Sequence, residues 1–249
     1  MFGGNEESCI RERLNMSRAF IKKIIRRLVW KATKKSVMQV LTPRCKRDGE
    51  PEYGRFTPSD IERIIQQANL NVEELLPYLQ NLDNIGNYLN VYVSLVDLAI
   101  YRTLVREGLS PSYAINLTGD INWQLGVNTS GYFQLKKNLM ALKTGEPKDL
   151  TGKFLEDMLK FPFGEPGYQV DFYQDNNTYY MNIYSCPVFD FYKQFGKEEM
   201  TVCRKVFCTY DYAVAERIGE RCRYERKHTL SDGDEVCDMR WSILDTPLT

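Results

Sequence analysis

The spacing of apolar residues changes period once along this chain, and that change restricts the fold to one that joins helices to a sheet. Through the first half, apolar side chains recur at three- and four-residue steps, which gathers them on one side of an α-helix. Ile21, Ile24, Ile25, Leu28 and Ala32 follow this rule within a helix predicted over 17–41, which Pro43 and the stretch Lys46–Gly54 end. Thr57-Pro58-Ser59-Asp60 supplies the next start, with Ile61, Ile64, Ile65 and Ala68 as its buried face. The clearest helix is predicted over 87–107, where Leu89, Tyr92, Val93, Val96, Ala99, Ile100 and Thr103 share one side. Gly108 is placed to end it in a left-handed conformation, and Ser110-Pro111 to begin another at once. Gly126–Gly131 and Gly145–Lys148 read as loops.

After Pro162 the period falls to two. Tyr168, Val170 and Phe172 alternate with Gln169, Asp171 and Tyr173, and Tyr179–Tyr184 does the same across the turn Asp175–Thr178, which predicts a β-hairpin. Cys186-Pro187 opens a short helix ended by Gly196, and a longer helix is predicted around 198–217. A second alternating pair, 222–230 and 236–243, flanks Ser231-Asp232-Gly233-Asp234. The expected fold is therefore α+β, with a helical N-terminal half and a C-terminal, mostly antiparallel sheet of hairpins with packed helices. Residues 1–50 read as a basic amphipathic helix and linker, and 51–150 as a helical region. Residues 151–249 read as an α+β region, separate from 51–150 or continuous with it.

Lys+Arg and Asp+Glu both number 33, so the chain as a whole has no electrostatic preference for nucleic acid or membrane. Charge is nevertheless segregated. Arg18, Lys22, Lys23, Arg26, Arg27 and Lys31 line the first helix, with no acidic residue between 18 and 35. Such a face can bind anionic lipid or nucleic acid, but it is more often a solvated surface opposite a buried stripe, and that is the expectation for 18–35. No apolar run approaches the roughly 20 residues that span a bilayer. Met1–Ser8 lacks the apolar core of a secretory signal, so a cytoplasmic location is expected. In that reducing compartment seven cysteines, an odd count without a CxxC pair, argue against a disulfide framework or a zinc ribbon. Five of them fall between Cys186 and Cys237, and they read as packing residues or as site chemistry.

The second hairpin allows a geometric inference. A turn symmetric about Asp232-Gly233 sets His228 opposite Cys237, Arg226 opposite Met239, Tyr224 opposite Trp241 and Cys222 opposite Ile243. Opposed side chains share a face, about 4.5–5.5 Å apart at Cβ. One face would then hold the only histidine of the chain, a cysteine and an arginine among aromatic rings. Imidazole beside a thiol lowers the thiol pKa, and a guanidinium can grip a carboxylate with two prongs. The plainer reading is a histidine packed by aromatics beside a cysteine acting as a small hydrophobe; an odd loop or a bulge would undo the pairing altogether.

Taken in order, Cys186-Pro187 with Gly196, Cys208 with Asp211, Arg226-Lys227-His228-Thr229, Gly233-Asp234 and Cys237-Asp238-Met239 resemble the L-2-amino-thiazoline-4-carboxylic acid hydrolase family. Leu76-Pro77, Ile85-Gly86 and Glu107-Gly108-Leu109-Ser110 resemble its helical half, so the likeness covers roughly 70–243. Met239 stands where the family usually has an aromatic, and the basic helix lies outside the likeness. The resemblance implies a hydrolase for a small-molecule substrate. Water adds to the ring carbon between N and S of a cyclic compound such as L-2-amino-thiazoline-4-carboxylate, and C–S cleavage gives N-carbamoyl-L-cysteine. The implied site is Cys186, Cys208 and Cys237, converging in one cleft with Asp211 or His228 as general base. Arg226 would hold the substrate carboxylate, with Tyr224 and Trp241 beside it. Cys203, five residues before Cys208, would face another way on an α-helix and is expected in the core. Two alternatives stay open. Cys186, Cys208 and Cys237 could ligate a metal or an iron–sulfur cluster. A pocket of Tyr168, Phe172, Tyr224 and Trp241 could bind a small molecule without turnover.

Overall fold

The computed structural model describes residues 4–44, 55–79, 82–144, 148–212 and 222–244, with side chains placed except at 4–17 and 130–150. Cys45, the linker 45–54, the loop residues 145–147 and positions 213–217 of the helix expected at 198–217 lie outside the described residues. Five helices come first: α1 (Gly4–Leu41), α2 (Pro58–Leu75), α3 (Ile85–Arg106), α4 (Pro111–Thr144) and α5 (Lys148–Lys160). They are followed by β1 (Gln169–Asp175), β2 (Thr178–Ser185), α6 (Pro187–Tyr192) and α7 (Lys197–Val202), which runs on into a π turn at Cys203–Phe207. The strands β3 (Cys222–Glu225) and β4 (Cys237–Ile243) complete the α+β architecture, with a 3-10 turn at Leu230–Asp232 between them.

Local chemistry sets the helix ends. The Thr57 hydroxyl accepts from the Asp60 N–H at 3.2 Å while the Asp60 carboxylate accepts from the Thr57 N–H at 2.8 Å, a reciprocal cap with Pro58 in the first turn. Asn84 caps α3 by accepting from the N–H groups of Gly86 and Asn87. Gly108 takes φ +85°, the left-handed conformation that a residue without Cβ adopts at no cost.

The core begins with α3. Leu95, Val96, Leu98, Ala99, Ile100 and Leu104 are all withdrawn from solvent, and α1, α2 and α4 pack around them. Most polar groups this deep are paired. Asn71 donates to the Thr103 hydroxyl at 2.7 Å, and Asn122 donates to Asp97 at 2.7 Å. The same apolar cluster takes in Val188, Phe191 and Tyr192 of α6, together with Val202, Cys203 and Val206. Tyr192 donates to the Ser94 carbonyl at 2.9 Å and Asn90 to the Tyr168 hydroxyl at 3.1 Å, so α3 is also the surface on which the C-terminal half rests.

The four strands among the described residues are antiparallel, in the order β1-β2-β4-β3. The register Phe172↔Met181↔Met239 and Ile183↔Cys237 places Phe172, Met181, Ile183, Cys237, Met239 and Trp241 on one face, where they form a second apolar cluster with Leu155 of α5. Cys186, at the junction of β2 and α6, packs against both clusters.

Three expectations are corrected. The stretch Gly126–Gly131 is not a loop, because α4 runs through it. Gly126 serves close packing instead: a Cβ there would lie 2.2 Å from the Tyr210 hydroxyl oxygen. On α1 the buried face is Thr33, Ser36, Val37, Val40 and Leu41, while Ile21, Ile24 and Leu28 stay exposed, since the bundle meets α1 on a side rotated away from that stripe. Finally, β3 is short. Its pairing keeps the expected register, Cys222↔Ile243 and Tyr224↔Trp241, but stops at Glu225↔Arg240.

Gly86, at the start of α3, is the point where the bundle touches the segment leading into the sheet. An added Cβ would meet the Pro162 Cα at 2.7 Å and its carbonyl oxygen at 2.9 Å, and backbone atoms cannot swing aside. Gly86→Ala should therefore destabilise the protein by about 1–3 kcal/mol, read as a lower urea midpoint at unchanged m. An unchanged midpoint would mean that this contact does not hold the two halves together.

Candidate active site

A cavity of about 450 Å³, counting its open mouth, lies where the two apolar clusters meet. Its walls are largely apolar, from Phe163, Tyr168, Ile183, Phe189, Phe207 and Met239. The polar lining consists of Cys186, Cys203, Cys208, Cys237, Asp211, Arg226 and Ser231. Cys186, Cys208 and Cys237 thus line one cleft although they come from the end of β2, the end of the π turn and the start of β4.

Cys203 lies in the core as expected but also lines the cleft beside Cys208, and the π turn is the reason. Five residues along an α-helix turn the side chain by about 140° from its starting direction. In the π turn the Cys208 N–H donates to the Cys203 carbonyl at 2.9 Å, closing a wider loop that brings residue five back over residue zero. The two sulfurs lie 3.9 Å apart. The two thiols are within hydrogen-bond reach, and with Cys203 as the donor this contact lowers the Cys208 pKa against the opposing effect of burial. The Ser231 hydroxyl, 3.6 Å from the Cys208 sulfur, lowers it further, and the opposing charges of Asp211 and Arg226 act on it in opposite directions, Asp211 raising it and Arg226 lowering it. The same contact with Cys208, and burial after it, move the Cys203 pKa up. Burial also pushes Cys186 up to about 12 and Cys237 to about 11. Cys208 is the acidic thiol of the cleft.

Asp211 and Arg226 meet beside it. Arg226 donates through Nη1 to Asp211 at 2.7 Å and through Nη2 to the Cys208 carbonyl at 2.9 Å, with its side chain only 6% exposed. Burial raises the Asp211 carboxyl to about 6 even though Arg226 pulls the other way. The fork expected for a substrate carboxylate is therefore engaged by groups of the protein itself. Arg226 remains the one cation among the described residues that line the cavity.

His228 is elsewhere, and the predicted His228–Cys237 pair is corrected. The Asp238 carboxylate accepts the N–H groups of Lys227 at 2.8 Å and His228 at 2.7 Å, and these bonds hold its pKa low although burial would raise it. They turn the chain out of the ladder after Glu225, so the imidazole is 57% exposed, 3.6 Å from Asp234. The Leu230 N–H takes its place, donating to the Cys237 sulfur at 3.3 Å. Tyr224 and Trp241 face each other with ring centroids 4.5 Å apart, but neither lines the cavity. The Trp241 indole N–H and the Tyr224 hydroxyl are buried without a hydrogen-bond partner.

Ser231 was missed as a site residue because Ser-Asp-Gly-Asp reads simply as a turn; its proximity to Cys208 depends on Arg204, which donates to the Ser231 carbonyl and fixes that turn against the π segment. Among the described residues no three His, Cys, Asp or Glu side chains are grouped to hold an ion.

A sequence model of one protein family, described as L-2-amino-thiazoline-4-carboxylic acid hydrolase, matches residues 95–241. That span runs from the middle of α3 into β4 and contains every lining residue of the cavity. No curated protein and no solved structure matched the chain.

The thiol chemistry makes a direct prediction. Near pH 7 an alkylating reagent should modify Cys208 before Cys186, Cys203, Cys222 or Cys237, because the thiolate is the reacting species. Ser231→Ala should shift the Cys208 rate profile to higher pH. Peptide-resolved mass spectrometry decides it, and earlier labelling of Cys186 or Cys237 would reverse the assignment.

Proposed function

The chain belongs to the L-2-amino-thiazoline-4-carboxylic acid hydrolase family, and from that premise we propose that it hydrolyses a small cyclic isothiourea such as L-2-amino-thiazoline-4-carboxylate, with Cys208 as nucleophile. One observation carries the reading: the thiol whose pKa is lowered shares its cavity with a carboxyl raised to about 6. A nucleophile and a proton carrier, both usable near neutral pH, are what ring opening at an amidine-like carbon requires.

The electrons and protons balance in two stages. The Cys208 thiolate forms a bond to the ring carbon between N and S. The ring C–S bond breaks, and the departing sulfur takes a proton from protonated Asp211. Water then attacks the same carbon and gives one proton to the Asp211 carboxylate, and the C–S bond to Cys208 breaks to return the thiolate. The water's second proton passes to the substrate nitrogen, leaving N-carbamoyl-L-cysteine. Cys203 holds the thiolate between turnovers through its S–H donor. Arg226 keeps Asp211 in place, and its charge attracts the substrate carboxylate into an otherwise apolar cavity.

Incubation with L-2-amino-thiazoline-4-carboxylate should release N-carbamoyl-L-cysteine, followed by mass spectrometry and by the new free thiol. Cys208→Ser should remove all but a trace of this activity. Asp211→Asn should lower kcat by about 10²–10⁴-fold, the usual contribution of a positioned acid–base group. In the unmodified protein kcat/KM should fall as pH rises through about 6, because ring opening needs Asp211 protonated, and Asp211→Asn should abolish that limb. Saturable binding without product would instead make the cavity a binding site and end the catalytic assignment.

A further inference from the structure

Helix α1 exposes a face that its own fold does not use. Its buried residues, from Thr33 to Leu41, are packed into the bundle with α2, α3 and α4. On the opposite side Phe20 is 65% exposed, Leu28 60% and Met38 54%, with Ile24 also open to solvent. Phe20, Ile24, Leu28, Lys31, Lys35 and Met38 follow one another at steps of three or four, so they lie along one line of the helix about 27 Å long. Lys23, Arg27 and Lys34 border that line and are exposed.

The cations divide in two. Those nearest the bundle are engaged: Arg18 pairs with Asp83 at 3.5 Å, Arg26 donates to the Tyr88 hydroxyl at 2.5 Å, and Lys22 sits over the Tyr88 ring. Those on the outer face, Lys23, Arg27, Lys31, Lys34 and Lys35, form no ion pair among the described residues. The sequence between 18 and 35 offers them no acid. The exposure of Phe20, Ile24 and Leu28 also removes the premise on which this face was expected to be a plain solvated surface, because large apolar side chains are interleaved with the cations.

We infer that this face docks on the surface of an anionic lipid bilayer, with Phe20, Ile24, Leu28 and Met38 entering the interface and the flanking cations meeting headgroup anions. Both components of the face are then used. A nucleic acid would satisfy the cations and leave the apolar line in water. A second copy of the helix would cover the apolar line but bring five unpaired cations against five. No helix among the described residues is long and apolar enough to cross a membrane, so the attachment is to the surface.

The test is co-sedimentation of the full chain with vesicles of phosphatidylcholine alone or mixed with phosphatidylserine. Binding should be at least about tenfold stronger to the mixed vesicles, as several basic residues at an anionic surface imply. Phe20→Ser with Leu28→Ser should weaken it at unchanged charge, and Lys31→Glu with Lys35→Glu should weaken it at unchanged apolar area. These positions are exposed, so far-UV circular dichroism should stay the same. Equal binding to both vesicle types would overturn the inference. So would binding that ignores the Phe20 and Leu28 changes, which would reassign the cations to a polyanion such as nucleic acid. A dimer that dissolves on Leu28→Ser would assign the face to a second copy instead.

Discussion

A guanidinium withdrawn from water to the degree of Arg226 must find acceptors inside the protein, and the arrangement of the cleft follows from how it does so. Its two acceptors, Asp211 and the Cys208 carbonyl, both lie just past the π turn, whereas Arg226 itself follows β3. The pair therefore ties the last helical segment to the sheet through a charge-assisted contact, the strong kind of hydrogen bond. Removing either member would strand the other's charge in an apolar setting, which costs far more than the intact pair contributes. The burial that makes the contact obligatory also raises the Asp211 carboxyl to about 6, so one feature supplies both cohesion and chemistry.

The thiols follow the same logic. Four cysteines share a setting that raises the pKa of three, and only Cys208 has donors enough to reverse the effect of burial. Its support comes from three places: hydrogen-bonding contacts with Cys203 through the π turn and with Ser231 through the 3-10 turn, and the charge of Arg226 just past β3. The acidity of this sulfur is thus a tertiary property. No window of sequence around Cys208 contains it.

That separation explains what could be read in advance. Capping chemistry is local, so Thr57 and Gly108 bound their helices as their residue types suggest. Strand register is nearly local, and the pairing Tyr224↔Trp241 follows from the turn alone. The gathering of Cys186, Cys208 and Cys237 was legible only through their ordered likeness to a family. The place of Cys203 in the cleft was not legible, because five-residue spacing reverses its meaning when an α turn widens to a π turn. Nor was the outward turn of His228, since a carboxylate ten residues ahead collects its backbone N–H and ends the ladder early. The stripe on α1 misled for a related reason: periodicity shows that apolar residues share a side, while neighbours decide which side is covered.

Cys186 touches both apolar clusters, and the cavity opens at that seam and not inside either one. Its width is therefore a difference between two separately packed bodies, each of which is close to incompressible. Thickening the helical bundle on its far side, or trimming a methyl group beneath the sheet, would shift one wall relative to the other without touching a lining residue. Tolerance for larger or smaller rings then becomes a mechanical quantity, open to drift through substitutions in parts of the chain that never meet a substrate. Relatives with the same cleft residues and different interiors would be expected to differ in the molecules they admit.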